Sequence, residues 1–397
     1  MDIEVKHLNH FNKIINRKDL DKHKIILNFS PSKDDIKSIN FSNVKNIQFN
    51  YNKLKDELPL ALSENNNLES ISFIKCNITP DGLSYILMCQ NLTELNLPDN
   101  DCINEMTSEL IANNIMLKTL NLHRTFIYPP PYIDNILKSK TITNLDLSSN
   151  EIKTENLQNI KNNTTLKILN LENCHIGANG VEMVLNNRSI NDLNIGSTMI
   201  NYNNIVYNSN SERALNEEEL LNNITLTCLN ISGNHISKDK LIKIAQHTTL
   251  TDVDISDNSI TDEVLKAFLH NPNIKNLKAR NGNATEECLK SIIENRSLHT
   301  LDLCNNKIYD FELYKVLLTE CFNLYELHLN GTRVNDYKND DYQDNLEREI
   351  RELKRIAMKR EMVMSIPAIN ELEKYISADI VKYIIVKYCD ENFIFSV

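Results

Sequence analysis

The amino-acid sequence predicts an α/β solenoid, in which a short strand and a short helix alternate along one axis. A motif with apolar residues at positions 0, +3 and +5 recurs twelve times, and most copies start 24 residues apart. Apolar residues at helical spacing follow within the strongest copies. A fixed period of this length is typical of solenoid proteins, whose long surfaces usually serve binding. Position 0 falls at Val44, Leu68, Leu92, Leu117, Ile142, Leu166, Ile190, Leu226, Leu250, Ile274, Leu298 and Leu324.

Each copy of the motif predicts a short strand that is buried on one face. The alternation of Leu145 and Leu147 in ITNLDLSSNEI (Ile142 to Ile152) has the period of two that such a strand requires. Position +8 is Asn, Cys or Thr in nearly every copy, and each of these side chains is short and carries a hydrogen-bond donor. We therefore expect position +8 to be buried and bonded to backbone carbonyls where the strand turns away.

A short helix is predicted after each bend. Apolar residues recur at about +15, +18 and +19, which is one face of a helix. The clearest sets are Leu83, Ile86 and Leu87; Val181, Val184 and Leu185; Leu241, Ile244 and Ala245; Leu265, Phe268 and Leu269; Leu289, Ile292 and Ile293; and Leu313, Val316 and Leu317.

In these motifs the chain resembles leucine-rich repeat proteins of the helix-bearing, ribonuclease-inhibitor-like kind, over residues 44–343. The resemblance implies a horseshoe with a parallel concave sheet and short convex helices. The period is shorter than that of ribonuclease inhibitor. The copy that starts at Ile274 is the weakest, because Gly282 stands at position +8 and Ala279 replaces a large apolar residue.

The limits of the periodic region divide the chain into three predicted parts. Residues 1–43 lack the full motif and are expected to cap the first repeat, with a strand in KIILNF (Lys24 to Phe29). Residues 44–343 form the leucine-rich repeat domain of twelve repeats, with a polar insertion near 201–219. Residues 344–397 contain amphipathic helical segments, and this helical C-terminal tail is either a cap or a docking segment.

Composition narrows the class of function. The net charge is −11, which argues against a nucleic-acid surface built on phosphate contacts. The nine cysteines form no CxxC pair, which favours a reducing compartment. No apolar run reaches the roughly 20 residues of a membrane helix, and the polar N-terminus has no signal-peptide pattern. We expect a cytoplasmic protein, or one secreted into a host cytoplasm without a classical signal peptide.

The sequence predicts that the protein is not an enzyme. It contains no phosphate-cradling glycine-rich loop, HExxH or GxSxG, and its ten histidines are dispersed. Asp252 and Asp254 lie two residues apart on one strand face, where paired carboxylates could hold a metal. The same place is Asn or Asp in most other repeats, so a repeat feature is the better interpretation. No catalytic residue, metal or cofactor is predicted.

The candidate binding surface is the concave face of the repeats, where strand positions +2, +4 and +6 point away from the core. We call it the outward face of the strands. This face is polar and mostly acidic, and the alternative interpretation is a solvated sheet without a partner. Lys278 and Arg280 interrupt the acidic residues in the weakest repeat. The candidate partner-binding residues are Asp146, Asp192, Asp252, Asp254, Lys278, Arg280, Asp302 and His328.

These observations predict a non-enzymatic protein–protein interaction module. Heavy use of Asn, Ile and Lys, with only 7 Gly and no Trp, is typical of AT-rich genomes. With the fold, this bias suggests similarity to leucine-rich repeat effectors of intracellular bacteria, which act on a host protein, here one with a basic surface. The alternative is a ubiquitin-ligase substrate adaptor, because residues Ile366 to Tyr388 resemble an F-box-like segment that would dock a ligase scaffold.

Overall fold

The computed structural model describes residues 2–6, 8–14, 23–28, 32, 34, 36, 39, 41–51, 56–125, 132–198, 216–308, 324 and 326–328. The chain divides into two compact units, residues 1–250 and 251–397. The C-terminal helices predicted over 344–397 and the helix predicted around Leu313 lie outside the described residues.

Among its described residues, the first unit contains ten parallel strands that pair in chain order. Each strand hydrogen-bonds to the next, in an unbroken register in which Leu95 pairs with Leu120 and Leu120 with Leu145. The strands are β1 (Ile3–Val5), β2 (Lys24–Leu27), β3 (Asn46–Asn50), β4 (Ser70–Ile74), β5 (Glu94–Asn96), β6 (Thr119–Asn121), β7 (Asn144–Asp146), β8 (Ile168–Asn170), β9 (Asp192–Asn194) and β10 (Cys228–Asn230).

Parallel strands need crossover connections, and in the described residues short helices or 3-10 turns form them. The repeat from Ile142 uses two 3-10 turns, Thr154–Leu157 and Ile160–Asn162, in place of an α-helix. The helices are α1 (Leu8–Ile14), α2 (Glu57–Leu62), α3 (Pro80–Ile86), α4 (Glu105–Asn113), α5 (Tyr132–Ile136), α6 (Gly177–Leu185), α7 (Glu217–Leu221) and α8 (Lys238–Ile244).

The second unit repeats this architecture. Its strands are β11 (Asp252–Asp254), β12 (Asn276–Lys278), β13 (Thr300–Asp302) and β14 (Glu326–His328), which also pair in parallel and in chain order. The helices α9 (Asp262–Leu269) and α10 (Leu289–Glu294), with a 3-10 turn at Glu286–Cys288, follow β11 and β12.

The core of each unit lies between the strands and the helices. Position +3 of every described strand is buried, as in Leu120, Leu145 and Leu301, which are at most 1 % exposed. The neighbouring positions +2 and +4 point outward. The sets predicted for the helix faces are buried in α6, α8 and α9, whereas Leu87 and Ile293 are half-buried. The α/β solenoid of parallel strands and short helices is thus confirmed.

The structure extends the strand ladder into the N-terminal segment. The strand predicted in KIILNF is present as β2, and β1 pairs with it in the same parallel register. Residues 1–43 therefore contribute two further strands of the type found in the repeats. The insertion near 201–219 follows β9, and its last three residues begin α7. Its residues 201–215 lie outside the described part of the chain.

One backbone feature repeats without a matching sequence signal. Position +7 has a positive φ, between 51° and 65°, in all eleven repeats from Val44 to Leu298. Only Gly233 among these residues is a glycine, and the others pay a conformational cost for the left-handed region. This bend ends each strand and turns the buried position +8 inward. The residues at position +7 are Tyr51, Lys75, Asp99, Arg124, Ser149, Asn173, Ser197, Gly233, Asp257, Asn281 and Asn305.

Candidate functional site

The candidate surface in each unit is the outward face of its strands, where positions +2, +4 and +6 form three parallel rows. Neighbouring strands lie about 4.8 Å apart, so each row holds one side chain at that spacing. In the first unit the candidate residues are Asp146 on β7 and Asp192 on β9, and both are half-buried. The nearby Glu94 and Glu172 are more exposed.

Row +4 has a structural role that accounts for its repeated Asn and Asp. The side-chain oxygen of this residue accepts a hydrogen bond from the backbone N–H at position +6 of the same repeat. The distance is 2.9 Å from Ser148 N to Asp146 Oδ1 and 3.0 Å from Ser256 N to Asp254 Oδ1. Such a turn satisfies a donor that the bend leaves open. Asn121, Asn170, Asn194, Asn230 and Asp302 make the same bond.

The repeats at β5 and β12 depart from this arrangement for different reasons. At β5 position +6 is Pro98, which has no N–H, and Asn96 Oδ1 is buried without a hydrogen-bond partner among the described residues. At β12 position +4 is Lys278, which cannot accept the bond. There the Arg280 N–H donates instead to Ser256 Oγ of the preceding repeat, at 3.0 Å.

In the first unit, Asp146 belongs to a short polar network. Ser148 Oγ donates to Asp146 Oδ1 at 2.6 Å, and His123 Nδ1 lies 2.8 Å from Ser148 Oγ. The three residue types occur in hydrolytic triads, but here the serine lies between the aspartate and the histidine. A triad needs the histidine in the middle to take the serine proton. The network therefore positions side chains and does not generate a nucleophile.

The second unit brings the other six candidate residues onto adjacent strands. Asp254, Lys278, Asp302 and His328 pair in register across row +4. Asp252 lies in row +2, where its carboxylate accepts hydrogen bonds from Thr251 Oγ1, at 2.6 Å, and from Asn276 Nδ2. The face combines both charge signs in this unit, because Lys278 lies in row +4 between Asp254 and Asp302.

Asp302 differs most from its sequence-based description. It points outward, yet it is only 1 % exposed, because the Arg280 guanidinium covers it with an ion pair through Nε and Nη2. Burial alone raises the pKa of this carboxyl, but hydrogen bonds from Arg280 and Cys304 outweigh burial and lower the pKa. The Asp302 charge is therefore compensated inside the protein, while the Lys278 side chain is exposed.

The predicted polar ladder at position +8 is present. Asn234 is fully buried, and its Nδ2 donates to the carbonyls of Ile195, Ile231 and Ser232 at 2.8–3.1 Å. The same position is buried at Cys76, Asn100, Thr125, Asn150, Cys174, Thr198 and Asn306. Asn258 is half-buried with two such bonds. The glycine at position 282 is explained by a lack of space for a side chain, because a Cβ there would lie 2.6 Å from Asn306 Oδ1.

Sequence reasoning missed a second buried polar ladder, three residues before position 0. Asn187 donates to the carbonyls of Ile160 and Asn163 at 2.7 Å and accepts from Ser189 N and Ile190 N. Asn65, Asn163, Asn223 and Asn295 make equivalent bonds. The recurrence of Asn three residues before position 0 was the sequence pattern that could have predicted this ladder. Asn271 belongs to this ladder as well, since it is 8 % exposed and its Oδ1 accepts from Asn273 N at 2.9 Å.

His247 replaces Asn in this second ladder. It is 1 % exposed, its Nε2 lies 3.1 Å from the Leu220 carbonyl oxygen, and its Nδ1 accepts from Thr249 N at 3.3 Å. These bonds fit a neutral ring with the proton on Nε2. Burial lowers the pKa of His247, although the backbone hydrogen bonds partly oppose this.

The buried thiols are unsuited to nucleophilic chemistry. Burial raises the pKa of Cys89 to about 11 and those of Cys174 and Cys288 to about 12. A thiolate, not a thiol, is the nucleophile. In the described ranges no group of three His, Cys, Asp or Glu residues could hold a metal ion. Nor does that part of the chain contain a helix that is both long and apolar enough to cross a membrane.

Comparison with known proteins identifies the repeats. The family model described as "Leucine Rich repeat" matches residues 162–185, 222–245 and 246–269. No curated protein matches the chain significantly in sequence.

Solved structures resemble the chain in fold. Rad7, from the yeast Rad7–Elc1 complex, has a TM-score of 0.53 and 17 % identity over 75 % of this chain and 79 % of its own. An internalin from Listeria monocytogenes has a TM-score of 0.46 and 19 % identity, over 78 % of this chain and 90 % of its own.

Proposed function

We propose that this chain, a leucine-rich repeat protein, binds a protein partner on the outward face of its strands. The observation that carries the proposal is the rigid array of polar side chains that the strand ladder holds at regular spacing. Because the net charge is −11, the expected partner surface is basic. The composition and the fold lead us to propose further that the protein is an effector of an intracellular bacterium that acts in the cytoplasm of a host cell.

The eight candidate residues contribute to this surface in two ways. Asp146, Asp254 and Asp302 accept backbone N–H groups, so they shape the face and are poor targets for substitution. We propose that direct contact comes from the other five, which are Asp192, Asp252, Lys278, Arg280 and His328. In the first unit the exposed Glu94 and Glu172 extend the acidic surface around Asp192.

The test reverses the charge of exposed acidic residues whose carboxylates make no hydrogen bond to the backbone. The double variant Glu94→Lys/Glu172→Lys and the wild type serve as bait in host-cell lysate, with quantitative mass spectrometry of the captured proteins. The proposal predicts a partner that the wild type captures and the double variant loses. The loss should resemble that produced by about 0.5 M salt, because salt screens surface charges.

The matched control is Glu109→Lys/Glu182→Lys, which changes the same charge on exposed residues of α4 and α6. It should capture the partner as well as the wild type does. Equal loss in both variants would show that only the net charge matters for binding. Equal retention in both would show that the exposed acids Glu94 and Glu172 do not belong to the binding surface.

The second candidate function is a ubiquitin-ligase substrate adaptor. The Rad7 structure is that of a complex with Elc1. A protein of similar fold that assembles with a second subunit is a precedent for an adaptor. The segment that would dock a scaffold, residues 344–397, lies outside the described residues. Capture of ligase-scaffold subunits by the full chain but not by residues 1–343 would favour this function.

A further inference from the structure

Position +7 carries a residue type that is unusual for the left-handed region in three of the first four repeats, at Tyr51, Lys75 and Arg124. Tyr51, Lys75, Asp99 and Arg124 have φ values of 51–57°, in the left-handed region. In the remaining described repeats the same position is Ser, Asn, Asp or Gly, which tolerate this conformation better. Tyr, Lys and Arg stand here although Gly or Asn would adopt the left-handed region at lower cost, and such strain concentrates at functional sites.

These four residues form one continuous edge at the ends of β3 to β6. Tyr51 N donates to the carbonyl of Ile74, and Lys75 N to that of Pro98, so the +7 bends stack in register beyond the strands. At about 4.8 Å per repeat, the edge from Tyr51 to Arg124 is about 14 Å long. This is close to the length of four extended residues.

The side chains are exposed and are organised in two pairs. Lys75 Nζ lies 5.9 Å from the centroid of the Tyr51 ring, and Tyr51 is 67 % exposed. Arg124 Nε lies 3.5 Å from Asp99 Oδ1, and the Arg124 side chain is 59 % exposed. Among the described residues, Lys75 Nζ and the Arg124 Nη atoms have no hydrogen-bond acceptor. The edge thus offers two cations with unused donors beside an exposed aromatic ring.

We propose that Tyr51, Lys75 and Arg124 form a second binding surface, the repeat-edge surface, for an acidic extended segment of a partner protein. Asp99 is a positioning residue that orients the Arg124 guanidinium. Carboxylates accept charge-assisted hydrogen bonds from both cations, and Tyr and Arg are the residue types that dominate interface energies. The repeat-edge surface differs in location and in sign of charge from the acidic outward face, so it does not depend on the function proposed above.

The test is fluorescence anisotropy of the full chain with a labelled hexaglutamate peptide at low ionic strength. The double variant Lys75→Asn/Arg124→Asn should weaken binding by about tenfold, since exposed ion pairs each contribute a few-fold. The same variant should raise the melting temperature by roughly 2 °C, because Asn accepts the left-handed conformation more readily. Loss of binding together with a gain in stability is the distinguishing result.

Two further variants separate charge from strain. Lys75→Gln/Arg124→Gln removes the cations but keeps long side chains, and it should weaken binding without the gain in melting temperature. Lys140→Asn changes an exposed lysine that has no positive φ, and it should leave both measurements near the wild type.

Three outcomes would overturn the proposal. They are absence of wild-type binding to hexaglutamate, an equal effect of Lys140→Asn, and displacement of the peptide by inorganic phosphate at an equal concentration of charge. The last result would identify a site for free anions instead of a protein segment.

Discussion

Removal of Asn234 tests whether the buried ladder at position +8 holds the repeats together. Asn234 is fully buried, donates to three backbone carbonyls, and accepts from Thr198 N at 3.0 Å and Thr198 Oγ1 at 3.1 Å. Asn234→Ala removes the acceptor of Thr198 N and one bond from each of the three carbonyls in a site closed to water. The Ile195 carbonyl keeps its bond from Thr198 Oγ1, and the Ser232 carbonyl keeps its bond from Ser197 N. A stranded buried polar group costs about 1–3 kcal/mol, and partial relaxation keeps the sum below full additivity. We expect a loss of about 3 kcal/mol in the free energy of unfolding.

A graded series sharpens this expectation. Asn234→Thr should lose less than Asn234→Ala, because Thr125 at the equivalent position still donates to the Leu122 carbonyl at 2.7 Å. Asn234→Asp keeps the acceptor for Thr198 but faces the carbonyls with a charge, so it should be at least as damaging as Ala. Urea titration followed by circular dichroism measures each loss, and the midpoint of Asn234→Ala should fall well below that of the wild type.

The control is Asn162→Ala, an exposed residue of the 3-10 turn Ile160–Asn162, which should change the free energy of unfolding by less than about 0.5 kcal/mol. Asn271 is unsuitable for this purpose, because it belongs to the second buried ladder. If Asn234→Ala and Asn162→Ala had equal midpoints, the ladder would not be a source of stability and the reasoning would fail.

Two further predictions concern single departures from the repeat pattern. His247 has a folded-state pKa below its ordinary value of 6.5, so the unfolded chain binds the proton more readily and stability should fall as the pH drops below about 6.5. His247→Asn should reduce this acid-induced loss relative to the wild type, and equal pH profiles of the melting temperature would contradict the assignment. Pro98→Ala supplies the N–H that Asn96 Oδ1 lacks, and this bond should contribute about 1 kcal/mol. The gain should vanish in the Asn96→Ala background, and an unchanged effect there would show that the two residues are not coupled.

The sequence alone determined the fold class and the identity of the core. Period and alternation decide which side chains face inward, since a strand has a period of two and a helix one of 3.6. The burial of Leu145, Val184 and Asn234 therefore followed from spacing alone. Chemistry also predicted the hydrogen bonds at position +8, because a buried donor must find an acceptor.

Only the tertiary structure decided which polar residues are available to a partner. Asp302 and Asp252 look alike in the sequence, yet Arg280 from the preceding repeat covers Asp302 and compensates its charge. The oxygens of the row +4 residues face a backbone N–H two residues later, and the strain at Tyr51 and Lys75 lies in φ angles. Such properties depend on the distance between residues about 24 positions apart and on local backbone geometry. Hydrophobic periodicity does not encode these quantities, so the core was predictable and the interaction surface was not.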